Sequence, residues 1–294
     1  MDKSIGLPVL ILGNSSDSQV KDIVRHLDGV PVVYFNGSTV NDFTFTRDLD
    51  SNEYRVTYLG KPFSTKVIFW RNIFYKSFSC EKDQTNNWNA YFDLFTQAFP
   101  DATWINNPQS FKEHQTKLPQ LTKIIKLATI PVTLITNDLF EAFTFLKTHQ
   151  DIAIKPVCGG DYTKRINDIA DLITLFSEHK QTLCLQEFID GDNIRVFVIG
   201  DKTFASVMPS DQPDFRTHAC EPIPLTINDD FIQLNIRIAK ELGLHWTACD
   251  WIRKDGTMYF LEANFSPMFS VYQKYAKHPI ASTLADLIKT KLCV

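Results

Sequence analysis

Two acids and an amide in this chain are spaced as a divalent-metal site would need them. In "YFLEANFSPMF", residues 259–269, Glu262 and Asn264 stand two positions apart inside an apolar strand pattern. Residues two apart share a strand face, so Phe260, Glu262 and Asn264 are expected to point one way and Tyr259, Leu261 and Ala263 the other. A carboxylate on an apolar face is costly unless something pairs with it. Asp250 lies twelve residues before Glu262, across a turn containing "KDGT". With a two-residue Asp255-Gly256 turn, Asp250 would face Leu261 and point away from Glu262. A three-residue loop of Asp255, Gly256 and Thr257 shifts the register by one and sets Asp250 directly across from Glu262. In that second register Asp250, Glu262 and Asn264 form one oxygen-rich face, able to hold one or two Mg²⁺ ions when phosphates supply the remaining coordination.

A nucleotide also needs cations for its phosphates. The strand "IAIKPV" buries the stem of Lys155 and presents its ammonium beside Gly159 and Gly160 of "CGGD". Alone, a lysine before two glycines is ordinarily a surface residue. Arg195 in "NIRVFVIGD" and Arg216 in "DFRTH" join it upstream of the acidic hairpin. Each arginine taken separately reads as a solvated or salt-bridged group; together with Lys155 and the acids they read as a phosphate site. Cys158, in the glycine loop, reads as a packed, inert thiol, and His218 as a loop histidine without a role.

The elements that must position these residues follow from apolar periodicity. "LPVLILG", "SQVKDIVRHL" and "VPVVYF" form a strand, helix, strand unit, with "KVIFW" as a further strand. "NWNAYFDLFTQAF" is an aromatic helix whose stripe reads as core packing, ended by Pro100 and Asp101. "KEHQTKLPQLTKIIKLA" reads as helix despite Pro119, "IPVTLIT" as strand, and "NDLFEAFTFLKTH" as a helix capped by Asn137 or Asp138. "DIAIKPV" is a strand, "CGGDYTKRI" a loop and "INDIADLITLFSEH" a helix. "TLCLQEFI" is a strand, and "NIRVFVIGDKTFASVM" two strands turning at Gly200 and Asp201. "SDQPDFRTHACEPIPLT" reads as loop, "NDDFIQLNIRIAKELGL" as a helix ending at Gly243, "HWTACDWIRKDGTMYFLEANF" as a hairpin, and "IASTLADLIKTKL" as a closing helix. The result is a small N-terminal α/β domain followed by two α+β lobes.

Composition narrows the function. The chain has 294 residues, 44% hydrophobic and 22% charged, which is ordinary for a globular protein. A net charge of -4 and a pI near 6.0 exclude a general nucleic-acid binder. No apolar run reaches transmembrane length, so no membrane partner and a cytoplasmic location are expected. The six cysteines show no C-x-x-C pair and read as reduced thiols; the seven histidines have no zinc spacing with them.

In order and spacing, "IKPVCGG", "LQEFIDGDNIRVFVIGD", "DFR" and "ACDWIRKDGTMYFLEANFSPMF" resemble the ATP-grasp carboxylate-amine ligases. The resemblance runs from about Asn107 to the C-terminus, and the aspartate, glutamate and x-Asn pattern is its specific part. The chain is most similar to the peptide-modifying ligases of microviridin-type (graspetide) biosynthesis, with "VIFWRNIFYKS" similar to a stretch of their first domain and "HPIASTLADLI" to their last helix. Ribosomal-protein glutamate ligases are the next nearest.

The resemblance implies an ATP-grasp fold of mixed α/β and α+β type: a pre-ATP-grasp α/β domain over residues 1–106, then subdomains at 107–187 and 188–294 clasping the nucleotide. It implies that Lys117 and Lys155 contact ATP phosphates beside Gly159 and Gly160. "QEFI" becomes the hinge, where backbone groups of Glu187 and Ile189 flank Phe188 and read the adenine edge, with Gln186 also facing the base. The family places an acid on the ribose just before I-R; this chain has Asn193 there, preceded by Asp192. Asp250, Glu262 and Asn264 become the Mg²⁺ ligands, with two ions expected and Mn²⁺ as a substitute. A substrate carboxylate then attacks the γ-phosphorus, and an amine or hydroxyl displaces phosphate from the acylphosphate. Lys155, Arg195 and Arg216 supply the electrostatic stabilisation. The expected partner is a peptide or protein substrate, with a homo-oligomer as an option. A glutamate-adding or small-molecule ligase and a non-catalytic ATP-binding scaffold are the alternatives.

Overall fold

The structure, a computed structural model, describes residues 7–51, 53–71, 82–157, 163–178, 182–209 and 221–293. The chain divides into two compact units, Met1–Pro108 with Pro279–Val294, and Gln109–His278.

The first unit begins with β1 (Val9–Leu12), α1 (Ser18–Arg25) and β2 (Val32–Phe35). Asp17 caps α1 by accepting from the Gln19 N–H at 2.8 Å. Next come β3 (Phe43–Asp48), β4 (Glu53–Tyr58) and β5 (Lys61–Pro62), then β6 (Val67–Trp70), α2 (Lys82–Ala98) and β7 (Thr103–Ile105). Strands β2, β1, β6 and β7 pair in that order, all parallel. Every residue of β1 and β6 is buried, as parallel strands covered on both faces require. The aromatic stripe of α2 is core: Phe95 packs edge-on against Phe35 at 4.7 Å and Phe45 at 4.9 Å. No element is expected over residues 43–62 from apolar periodicity. The structure forms the antiparallel β3–β5 sheet there, and its Phe43 and Phe45 meet the same α2 side chains.

The second unit opens with α3 (Pro108–Gln115) and α4 (Lys117–Ile124). The single helix expected over residues 112–128 is therefore two. As the third residue of α4, Pro119 sits where its missing N–H has no intrahelical partner, whereas a continuous helix would break there. The first lobe contains β8 (Thr133–Thr136), α5 (Leu139–His149), β9 (Ile152–Pro156), β10 (Lys164–Ile166), α6 (Ile169–Glu178) and β11 (Leu183–Glu187). Of the two cap candidates Asp138 is the one, accepting from the Glu141 N–H. The strands pair β10-β9-β11-β8, so "KRI", expected as loop, is a strand against β9.

The second lobe contains β12 (Asp192–Ile199), β13 (Lys202–Met208), β14 (Ile223–Leu225), α7 (Asp229–Glu241), β15 (Trp246–Lys254), β16 (Thr257–Asn264) and α8 (Ser270–Lys274). Its antiparallel order is β14-β13-β12-β15-β16, with "IPL" a strand rather than the expected loop. The last helix, α9 (Ile280–Leu292), packs on α1 and β6. It belongs to the first unit. Among the described residues no helix is long and apolar enough to cross a membrane. Cys184, Cys249 and Cys293 are free thiols, while Cys80, Cys158 and Cys220 lie outside the described residues.

Candidate functional site

Strand alternation in the first lobe separates core from site. Ile152, Ile154, Leu183 and Leu185 pack with Ala142 and Leu146 of α5 and Leu172 and Leu175 of α6. Lys155 pairs with Cys184 across β9 and β11, and both face the other way together with Gln186. The Lys155 stem is buried, and its Nζ donates to Gln186 Oε1 at 2.8 Å. Gln186 Nε2 donates to Thr133 Oγ1 at 3.0 Å, and that hydroxyl donates to the Pro131 carbonyl. Both ends of the Gln186 carboxamide are thus spent on orienting Lys155 and anchoring to β8.

In the second lobe α7 covers one sheet face through Ile232, Ile236 and Ala239 against Val198. Trp251 joins that face, its indole N–H donating to Asn235 Oδ1 at 3.0 Å. On the opposite face a single row crosses the sheet: Arg195 of β12 pairs with Asp250 of β15, and Asp250 pairs with Glu262 of β16. Asp250 does oppose Glu262, but not through the loop expected. Lys254 pairs with Thr257, so the turn is the two-residue Asp255-Gly256 one, and a β-bulge beyond the Trp251–Phe260 pair supplies the extra residue. The bulge also corrects the face of Phe260. It packs with Trp251 at 5.2 Å on the α7 side, while Glu262 and Asn264 face away from it.

Asp250 is held tightly. Arg195 Nε and one terminal nitrogen donate to its two oxygens at 2.6 and 2.7 Å, and Asn264 Nδ2 donates at 3.0 Å. Arg195 and Asp250 are both buried. Burial works against the Arg195 charge, yet the Asp250 carboxylate more than offsets it and holds the guanidinium above its ordinary pKa. Arg195 thus acts on the site through Asp250. The carboxylates of Asp250 and Glu262 and the carbonyl of Asn264 are hard oxygen donors of the kind Mg²⁺ takes. Among the described residues no three His, Cys, Asp or Glu side chains cluster as a self-sufficient site. Two carboxylates and one amide carbonyl fit a Mg²⁺ shell that has room for further oxygen ligands such as phosphate.

Helix α4 brings the two lobes' polar faces together. The Lys117 N–H donates to the Val157 carbonyl at the end of β9. One turn later Gln120 grips β16: its Nε2 donates to the Ala263 carbonyl at 2.9 Å and its Oε1 accepts from the Ala263 N–H at 2.8 Å. Burial pushes the Cys184 thiol up; Lys155 and Lys117 oppose the rise, and Glu262 adds to it. Burial likewise lowers the pKa of His114, against the pull of Glu262. His114 and Gln120 escape the sequence reading. The available signal was a glutamine inside the buried stripe of α4, beside Leu121 and Ile124.

At the hinge the Glu187 N–H is taken by the Val132 carbonyl and the Phe188 N–H by that of Asp151. What Glu187 can offer an adenine edge is its carbonyl. Phe188 lies under the Arg165 guanidinium, 4.0 Å from ring centroid to Cζ, and Ile189 is buried. Asn193 shares the face of Arg195, whereas Asp192 points to the other face and pairs with Arg253 at 2.7 Å. Gly159, Gly160, Cys158, Arg216 and His218 lie outside the described residues.

A family model described as a RimK-like ATP-grasp domain matches residues 128–288, more than half of the chain. The chain belongs to that family: it is an ATP-grasp ligase. A tetrahydromethanopterin:alpha-L-glutamate ligase of Methanocaldococcus jannaschii is 24% identical over 281 residues, covering 85% of this chain and 94% of that protein. A probable alpha-L-glutamate ligase of Mannheimia succiniciproducens is 28% identical over 64% of this chain and 68% of its own length. Among solved structures, the ATP-grasp ligase PsnB complexed with minimal precursor superposes with a TM-score of 0.81 at 22% identity, over 97% of this chain and 99% of its own. The macrocyclase MdnC of Microcystis aeruginosa, bound with precursor peptide MdnA, gives 0.80 at 16% identity over 97% of this chain and 100% of its own. These likenesses establish the ATP-grasp fold.

Proposed function

We propose that this ligase activates a carboxylate of a peptide or protein and joins it to an amine or hydroxyl, giving an amide or ester, including a side-chain macrocycle. The observation that carries the reading is the row of Arg195, Asp250 and Glu262 across one sheet face with Asn264 bonded to Asp250, and the bonds by which α4 holds both Val157 beyond β9 and Ala263 of β16. Support for a peptide substrate comes from the whole-length likeness to PsnB and MdnC, whose structures hold precursor peptides. A carboxylate oxygen attacks the γ-phosphorus and ADP leaves; the incoming nucleophile then attacks the acyl carbon, and phosphate departs with the C–O bond electrons. Lys117 and Lys155 bind the phosphates, Asn193 the ribose, and the Glu187 carbonyl and Ile189 N–H the adenine edge. Arg216 meets the transferring phosphoryl group. Asp250, Glu262 and Asn264 would hold two Mg²⁺ ions, replaceable by Mn²⁺, which supply charge neutralisation on the phosphates. Arg195 orients Asp250 for that task.

Incubation with ATP, Mg²⁺ and peptides rich in Asp, Glu, Ser, Thr and Lys tests this. Peptide-dependent ADP release with loss of one water per bond is the expected result. The second reading, addition of glutamate, is favoured by the glutamate-ligase relatives. It would instead show glutamate-dependent ADP release and a gain of glutamyl mass. ATP binding without turnover on any carboxylate would leave a scaffold.

A further inference from the structure

We infer that Gln120 is a positioning residue for the metal and nucleotide site, acting through the backbone of Ala263; this rests on the reading of Glu262 and Asn264 as metal ligands. Ala263 lies between those two residues on β16. As the edge strand of its sheet, β16 pairs with β15 on one side only. Its other edge presents backbone groups that sheet pairing does not satisfy. The buried Gln120 carboxamide meets the donor and the acceptor of the same residue there, at 2.9 and 2.8 Å, as a neighbouring strand would. Farther along, the Phe260 N–H donates to the Thr129 carbonyl at 2.8 Å. The two anchors bracket the bulge, the one stretch of the hairpin where the β15 ladder does not set the register.

The same helix carries Lys117, whose backbone is tied to the end of β9 two residues beyond Lys155. Helix α4 therefore links the phosphate-binding lysines to the strand bearing the ligands. Hydrogen bonds that orient first ligands typically change metal affinity when lost, and here the oriented unit is the backbone between two ligands. Both ends of the Gln120 carboxamide are engaged by the Ala263 backbone, so its effect should appear in metal affinity rather than in metal-free nucleotide binding.

The test measures Mn²⁺ binding to the protein–ADP complex by electron paramagnetic resonance, and metal-free ADP binding by calorimetry. Gln120→Leu should weaken Mn²⁺ by about 10- to 100-fold, while metal-free ADP affinity stays within roughly twofold, about 0.4 kcal/mol. Gln120→Glu keeps the acceptor for the Ala263 N–H and loses the donor; it should fall between wild type and Gln120→Leu, and it decides the matter should the leucine variant not fold. Unchanged Mn²⁺ affinity in a folded variant overturns the inference. So does an equal loss of Mn²⁺ and metal-free ADP affinity, the mark of a merely structural role. Wild-type protein that binds no Mn²⁺ with ADP present would instead overturn the metal-site reading beneath it.

Discussion

Replacing Asp250 with alanine should destabilise the unit Gln109–His278 far more than it would a surface acid. Arg195 and Asp250 are 7% and 5% exposed, and two hydrogen bonds of 2.6 and 2.7 Å join them. Removing one partner takes from the other its bidentate counter-charge inside the fold, a loss of about 3–5 kcal/mol. For a unit of this size each kcal/mol lowers the midpoint by roughly 2–4 °C, so the shift is ~6–20 °C. Arg195→Met should destabilise by a similar amount, leaving Asp250, among the described residues, with the Asn264 amide. Combining Arg195→Met with Asp250→Leu removes both charges and fills the space with carbon, and the double variant should be more stable than either single one. Denaturant unfolding of wild type, Arg195→Met, Asp250→Leu and the double variant closes the cycle. Additive losses, with the double variant weakest, would refute the buried-pair argument. Turnover should be lost wherever Asp250 is replaced, because stability regained by apolar packing does not restore a metal ligand.

Lys155→Ala should weaken MgATP binding by about 1.5–3 kcal/mol, the worth of a charge-assisted contact; equal calorimetric affinities would reduce Lys155 to a packed stem. Arg216→Ala should lower turnover much more than ATP affinity, since its charge matters most while phosphoryl charge redistributes. Wild-type turnover in that variant would move the phosphoryl-transfer site elsewhere. A Cβ at Gly191 would lie 2.4 Å from the Arg253 carbonyl oxygen, a backbone atom that cannot swing away. Gly191→Ala should therefore cost about 1–3 kcal/mol, read from the denaturant midpoint, and an unchanged midpoint would mean the strand gives way freely. Burial lowers the folded-state pKa of His278 below 6.5. The unfolded chain then binds a proton first, so stability should fall as pH drops below about 6.5 until the folded pKa is reached. His278→Gln should flatten that part of the pH profile; an identical slope in the variant would assign it to other groups.

Much of the architecture was legible because apolar period and local capping agree. The strand, helix, strand opening, the α2 aromatic core, the turn at Gly200 and the helix ending before Gly243 all follow from residues within one element. Long-range pairings were less so. Strand β10 is three residues long and gains its place only from pairing with β9, and β14 likewise from β13. Nothing local marks the return of α9 to the first unit. Gln120 reads as any helical glutamine until the edge of β16 is laid against it.

The hairpin shows why a right pairing can come from a wrong loop. A three-residue turn and a two-residue turn with one bulged residue each add a single position between Asp250 and Glu262, so counting alone cannot separate them. They differ in where Phe260 goes. A regular ladder beyond a three-residue turn puts Phe260 on the acid's face, beside ligands that need water-like oxygen donors. A bulge lets Phe260 follow Trp251 into the α7 core while Glu262 joins Asp250. Burial of a phenyl ring is worth roughly 1.5–3 kcal/mol, and the acid gains by facing Arg195 rather than carbon. Both residues are better placed with the bulge than without it. The discriminating signal was therefore in the strand itself: a large apolar residue two positions before a carboxylate is a conflict of faces, and a shift of register within the strand resolves it.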